Sequence, residues 1–184
     1  MTVLSDQDIG RELAYGDLDV SPVDLDEQLQ PNSLDIRLSD EFLLMKDNGL
    51  VIDVSEGLTE DDYERITSDS ITIGPNGFLL ATTVETFSIP NYLYGQVHGR
   101  SSIGRLGLEI HSTAGLIDSG YEGEITFEIS NNSDRAITIH SGMRIAQVVF
   151  HRLESKCNNP YSSEDNKYQN QEGVVGSRIQ EDFQ

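Results

Sequence analysis

From Leu34 to Phe150 the chain is written in short alternations of apolar and polar residues, cut at close intervals by glycine, proline, asparagine and aspartate. Leu34-Asp35-Ile36-Arg37-Leu38 is one such run. Ile71 to Ile73, Phe78 to Val84, Tyr92 to Val97, Glu124 to Ile129, Ala136 to Ile139 and Arg144 to Phe150 are others. A period of two sends successive side chains to opposite faces of a strand. Breaks such as Gly74-Pro75-Asn76-Gly77, Ser88-Ile89-Pro90 and His140-Ser141-Gly142-Met143 leave room for many short strands and no long helix. The pattern predicts one mostly-β domain, a distorted jelly roll or β-sandwich. Helical spacing occurs only near the N terminus. There Ser5 precedes Ile9, Leu13 and Ala14, and the predicted helix ends near Tyr15-Gly16.

Between these elements the expectations are local. Phe42 to Met45 and Leu50 to Ile52 flank Lys46-Asp47-Asn48-Gly49 and predict a hairpin. Asp17 to Pro31 is acidic and reads mostly as loop, with Val20 and Leu25 as anchors. Asp53 to Ser70 reads as an exposed loop or short helix. From Asn158 the composition turns to Asn, Gln, Ser and Glu. The expected organisation is a single domain over 1–184 with 158–184 a mobile tail.

Charge narrows the class of partner. Asp and Glu number 32 against 12 Lys and Arg, a formal net charge of -20. A phosphate backbone needs a basic footprint, so nucleic acid is a poor partner. The acid excess is spread along the chain and lysine is scarcer than arginine. This reads as a surface adapted to high salt, where screening tolerates self-repulsion; an ordinary acidic protein is the alternative. One cysteine, Cys157, allows no intrachain disulfide. The N terminus lacks the charged and apolar regions of a secretory leader, and no apolar run reaches the roughly 20 residues of a bilayer span. No membrane partner and a cytoplasmic location are expected.

Three stretches could carry chemistry. In Gly99-Arg100-Ser101-Ser102-Ile103-Gly104-Arg105, glycines permit close approach, hydroxyls and backbone N–H groups form an anion nest, and arginine forks match phosphate oxygens. The same residues could equally form a loop whose arginines pair with carboxylates. In Glu124-Ile125-Thr126-Phe127-Glu128-Ile129, alternation puts Glu124, Thr126 and Glu128 on one face. That face is either solvated or covered by a ligand or another subunit, in which case a carboxylate there could shuttle protons. In Ala114-Gly115-Leu116-Ile117-Asp118-Ser119-Gly120-Tyr121, Asp118 either closes its own turn or meets a sugar or a water, with Tyr121 as a flat wall. His98, His111, His140 and His151 are not at metal-ligand spacing. The H-x-E and P-C-x-x-C pattern of zinc nucleobase deaminases and the G-x-S-x-G elbow are both absent.

Five stretches, in order, resemble the dCTP deaminase branch of the dUTPase-like superfamily. They are Gln30 to Leu38, Gly99 to Gly107, Thr113 to Gly123, Thr126-Phe127-Glu128, and Pro160-Tyr161 with Lys167 to Gln171. The resemblance implies a jelly-roll homotrimer with active sites between subunits. It implies dCTP as substrate, Glu128 as proton shuttle for water attack on cytosine C4, and Ser101 with the Ala114 carbonyl placing that water. Arg105 would support the charge. Arg100, Ser101, Ser102, Ile103, Gly104, Lys167 and Gln171 would hold phosphates. Asp118, Thr126, Phe127, Gln147 and Tyr161 would line the nucleotide site. Magnesium would ride on the triphosphate, and no zinc is expected. Gly115-Leu116 after Thr-Ala is similar to members that also cleave the triphosphate to dUMP and diphosphate, with Asp118 ordering the second water. Ser119 departs from the proline usual there and is expected to loosen the turn slightly. A dUTP-releasing deaminase, a dUTPase and a non-catalytic nucleotide-binding domain are the rivals.

The charge reading makes a prediction of its own. Melting temperature should rise by about 10 °C or more between dilute buffer and ~2 M KCl as screening relieves self-repulsion. Circular-dichroism melts over a salt series measure this, and a flat series would return the surface to the ordinary acidic class.

Overall fold

In the computed structural model every residue is described except Met1, Asn48, Leu50, Ser112, Glu164, Asp165 and Gln184. The chain begins with β1 (Thr2–Val3), α1 (Asp6–Tyr15), β2 (Asp19–Ser21), α2 (Leu25–Gln28) and β3 (Leu29–Gln30). The long β4 (Ser33–Met45), β5 (Tyr63–Thr67), β6 (Ser70–Ile73), β7 (Phe78–Ser88) and β8 (Leu93–Gly99) follow. Then come α3 (Ser101–Gly104), β9 (Leu108–Ile110), β10 (Leu116–Ile117), β11 (Glu122–Asn131), β12 (Ile137–His140) and β13 (Arg144–Arg152).

Strand order along the main sheet is β10-β8-β13-β4-β7-β11-β9, and β12 pairs separately with β6. β4 makes the curl. Its first half pairs with β13, Leu34 opposite Val148, and its second half with β5 and β7, Leu43 opposite Arg65 and Leu80. Both flanks of that corner carry register shifts. The result is the mostly-β distorted jelly roll that the alternation predicts, with a short N-terminal helix. Between its faces lie Ile36, Leu38, Phe42, Phe87, Phe127 and Phe150, all nearly or wholly buried. Burial of about 25 cal/mol per Å² of apolar surface drives this closure.

The helix forms as its sequence dictates. Ser5 and Asp8 make a reciprocal capping box, Ile9 is its buried residue, and Gly16 ends it. Other expectations need correcting. Phe42 to Met45 does not form a hairpin with Leu50 to Ile52. Asn48 and Leu50 lie outside the described residues, and Val51 and Ile52 are exposed and outside any strand. The partner is β5, with Phe42 opposite Ile66 and Met45 opposite Tyr63. β5 arises within the acidic Asp53–Ser70 stretch because Tyr63 offers a side chain that can be buried against Leu43 and Leu80. Asp17–Pro31 holds two short strands and a helical turn. Val20 is buried as expected. Leu25 is not; Gln28 is instead, donating to Glu85 Oε1 and the Asp35 carbonyl, both at 2.9 Å.

The segment after β13 lies on the body. Gln171 and Val174 are buried, and Asn170 N–H donates to the Glu122 carbonyl at 2.8 Å. Among the described residues no helix is long and apolar enough to cross a membrane.

One buried polar residue closes the end of β11. Asn131 Nδ2 donates to the carbonyls of Ile73, Gly74 and Arg135 at 2.8 to 3.0 Å. Asn131→Ala should cost about 2–4 kcal/mol, because it strands buried carbonyls. Urea unfolding is the measurement; a loss under ~1 kcal/mol would show that water replaces the amide.

Candidate functional site

β11 sets the site's floor. Ile125, Phe127 and Ile129 face the core, while Thr126 and Glu128 look outward and are only partly covered. The outward face borders a cavity of about 660 Å³. Thr126 and Glu128 line it, with Ala114, Leu116 and Asp118 from the adjoining turn and Tyr161 and Gln171 from the tail. A second cavity, of about 530 Å³, takes Arg100, Ser101 and Gly104. His111 lines both.

The other expected residues sit elsewhere. Ser102 and Arg105 are exposed and form no wall of either cavity. Ile103 is buried and pins α3, and Phe127 belongs to the core. Gln147 lies on β13, where its Oε1 accepts from Ser33 Oγ at 3.1 Å. Lys167 is paired with Asp182. One chain thus gathers the Glu128–Asp118 group and the Arg100–Ser101 group into neighbouring cavities, and leaves Ser102, Arg105, Gln147 and Lys167 outside both.

His111 was not singled out by sequence, yet it joins the two cavities. It follows β9 with φ of 63°, a conformation uncommon for a non-glycine residue. Its backbone N–H donates to the Glu128 carbonyl at 3.1 Å, and its Nε2 lies 2.7 Å from the Ala114 carbonyl. Nε2 must carry a hydrogen to bond that carbonyl. In a neutral ring Nδ1 is then a bare lone pair, and it sits 3.1 Å from a Glu128 carboxylate oxygen. That distance satisfies an ion pair, but the atoms are not aligned for a hydrogen bond. Nδ1 of His111 and Oε2 of Glu128 are both buried without a hydrogen-bond partner. We read the pair as an unfilled polar position, since alignment and not separation decides a hydrogen bond. A polar group of a bound molecule that reached either atom would fill it. The only sequence signal for His111 is that it precedes the Ser-Thr-Ala stretch at the end of a strand.

Asp118 stands in the turn before Gly120, whose φ is 86°. Although the residue is largely exposed, partial desolvation at the cavity wall raises its carboxyl above the ordinary range. Ser119 does not loosen this turn. Its hydroxyl donates to the Leu93 carbonyl and its carbonyl accepts from Tyr161 N–H at 2.8 Å. Tyr121 is buried, and its ring lies 5.8 Å from that of Tyr161. Burial pushes its phenol far up, so it stays a neutral wall and donor. Gly115 is where β8 comes closest: a Cβ there would lie 2.9 Å from the Val97 carbonyl oxygen.

Arg100 resolves one alternative left open by its motif. It pairs with a carboxylate, but a buried one: Nη2 lies 3.3 Å from Asp35 Oδ2. Arg144 approaches the same oxygen at 3.4 Å, and Arg100 Nη1 donates to the Arg144 carbonyl at 2.8 Å. Burial holds the Asp35 carboxyl above its ordinary range, and the two arginines offset only part of that rise. Two guanidinium charges against one carboxylate leave a net positive edge beside Ser101, within an acidic chain. Among the described residues no three His, Cys, Asp or Glu side chains gather as a metal site.

Comparisons with known proteins agree with this architecture. The fold is similar to that of the 2'-deoxycytidine 5'-triphosphate deaminase of Agrobacterium tumefaciens, with TM-score 0.64 and 22% identity over 82% of this chain. The match covers 47% of that chain, about half its length. A family model described as dCTP deaminase-like matches residues 3–153. The chain therefore belongs to the dCTP deaminase-like family. A dCTP deaminase of Halorubrum lacusprofundi is 42% identical over 98% of this chain and 92% of its own. The dUMP-forming dCTP deaminase of Dictyoglomus thermophilum is 40% identical over 98% and 96% respectively.

Proposed function

We propose that the protein hydrolyses dCTP at cytosine C4, releasing ammonia, and then cleaves the triphosphate to give dUMP and diphosphate. The observation that carries this reading is the buried Oε2 of Glu128, without a hydrogen-bond partner, on the wall of a cavity that Asp118 also lines. Glu128 takes a proton from water as the oxygen bonds to C4. It passes that proton to N3, then takes the proton of the new C4 hydroxyl and gives it to the amino group, so that ammonia leaves and C4 becomes a carbonyl as the C4–N bond breaks. Positioned proton transfer of this kind contributes typically 10²- to 10⁴-fold. Ser101 and the Ala114 carbonyl place the water, and Arg105 supports the charge. The remaining barrier falls to positioning in a closed, dry site.

Arg100, Ser101, Ser102, Ile103, Gly104, Lys167 and Gln171 are assigned to the phosphates. Asp118, Thr126, Phe127, Gln147 and Tyr161 are assigned to the nucleoside. Magnesium arrives on the triphosphate, in keeping with its preference for phosphate oxygens and water. In the second step a water ordered by Asp118 attacks the α-phosphorus, and diphosphate leaves. Gly115-Leu116 supports this step, since the bare Gly115 lets the turn lie against β8. Several relatives, that of Dictyoglomus thermophilum among them, carry the dUMP-forming description.

The assembly is proposed as a cytoplasmic homotrimer. Its support is the exposure of Ser102 and Arg105 and their absence from both cavity walls. A neighbouring subunit would carry these groups to the Glu128 cavity.

Product analysis tests the chemistry. With dCTP, magnesium and high salt, ammonia, diphosphate and dUMP should appear in equal amounts. Ammonia with dUTP alone would leave only the first step, and no ammonia would remove both. Glu128→Gln should bind dCTP yet lose at least about 10³-fold in kcat, since the amide cannot carry the proton. Near-native turnover would refute the role of Glu128. Asp118→Asn should still release ammonia but accumulate dUTP; if dUMP still forms at the native rate, Asp118 does not order the second water.

A further inference from the structure

The tail is fastened to the body along one side of the cavity. Gln171 lies beside Gly123 in a parallel bridge, its carbonyl accepts from Glu124 N–H at 2.9 Å, and its Nε2 donates to Thr126 Oγ1 at 2.7 Å. Gly173 N–H then donates to Glu124 Oε2 at 3.0 Å, and with φ of 68° the chain turns down onto the sheet. Val174 enters a small apolar cluster separate from the main core. Its other buried members are Leu43, Tyr63 and Leu80, from β4, β5 and β7. Val174 is 1% exposed and does not line the cavity, whereas Val175, Gly176 and Ser177 do. Arg65 Nη1 donates to the Val174 carbonyl at 3.1 Å. Gly176 passes so close to Tyr63 that a Cβ there would lie 2.7 Å from the ring.

This small cluster is completed by a residue of the tail. Three of its buried members are fixed by strand pairing; the fourth arrives only when the tail lies down. The tail's ion pairs, Lys167 with Asp182 and Arg178 with Glu181, join tail to tail, while its earlier part is tied to the body by Tyr161 N–H on the Ser119 carbonyl and Asn170 N–H on the Glu122 carbonyl. Salt screens such pairs but leaves apolar burial intact.

We propose that Val174 is a latch, a positioning residue that seats the tail over the cavity and tunes substrate affinity through Gln171 without touching the reacting atoms. The latch rests on the reading of the cavity as the dCTP site, and its test carries one arm that does not. Trypsin can cut the tail after Lys167 and after Arg178. In Val174→Ala, both cuts should come about tenfold faster, as the closed fraction falls with the lost burial. KM for dCTP should rise about tenfold while kcat stays within about twofold, as expected when uniform binding is lost. The melting curve should hardly move. Val174→Thr works by a different chemistry, keeping the shape but placing a hydroxyl in the apolar cluster, and should produce the same pattern; it keeps the test alive if Val174→Ala fails to fold.

Wild-type cleavage rates and KM in both variants would overturn the latch. So would accelerated cleavage throughout the chain with a matching drop in melting temperature, which marks a general structural role. A fall in kcat at unchanged KM would overturn it too. If the wild type turns over no dCTP, the functional reading fails, and the cleavage rates alone still decide whether Val174 holds the tail.

Discussion

The irregularity between β7 and β11 governs where everything else can stand. Thr82 opposes Thr126 and Thr86 opposes Glu124, so three residues of β7 face a single residue, Ile125. Such an excess interrupts the ladder and bends the strand. Threonine hydroxyls repair the break: Thr83 Oγ1 accepts from Ile125 N–H at 3.0 Å, and Thr82 Oγ1 donates to the Ile125 carbonyl at 3.2 Å. The bend also turns Glu85 wholly inward, where it accepts from Arg37 Nε at 2.7 Å, Arg37 N–H at 2.9 Å and Gln28 Nε2 at 2.9 Å. A buried carboxylate is tolerated only when its lone pairs are so filled. The break therefore ties β11 to the corner of β4, and it fixes the register of Thr126 and Glu128 above the cavity.

A second constraint is electrostatic. In a chain of formal charge -20, a positive edge must be assembled locally. Asp35 does this from inside, gathering Arg100 and Arg144 from β8's end and β13. The buried carboxylate holds the guanidinium of Arg100 in one orientation at the cavity wall. The acidic exterior and the positive edge are thus compatible, because only the edge is pre-organised by a low-exposure partner.

Much of this was legible in the sequence. Period-two alternation placed β7, β11, β13 and the first half of β4, and a cap at Ser5 with the spacing of Ile9, Leu13 and Ala14 placed α1, because both depend on neighbours in the chain. The face of β11 bearing Thr126 and Glu128 followed from the same period. What escaped depends on distant pairing. Tyr63–Thr67 lies among acidic residues, and its value as a strand appears only once Leu43 and Leu80 are beside it. His111 escaped because its place comes from an unusual φ and from Glu128 seventeen positions later; nothing in its neighbours announces either. The tail composition suggested mobility, and the pair Val174-Val175 among polar residues gave no period by which to see its socket.

The turn from Ala114 to Tyr121 shows how little freedom the site has. Val97 N–H donates to the Gly115 carbonyl at 2.7 Å, and the same approach leaves no room for a Cβ at Gly115. Gly120 is equally confined, since a Cβ there would meet Pro160 of the tail at 2.6 Å. Between these two contacts, Leu116 and Ile117 pair with β8 and Ser119 bonds the Leu93 carbonyl. Asp118 is therefore held from both sides by backbone contacts that involve no side chain of its own. A carboxylate so placed can be exchanged for an amide without moving the turn, whereas a bulkier residue at Gly115 would push the turn off β8. Position and chemistry are thus separable at Asp118 and inseparable at Gly115, and a polar replacement at Gly115 would alter the cavity wall before it altered any charge.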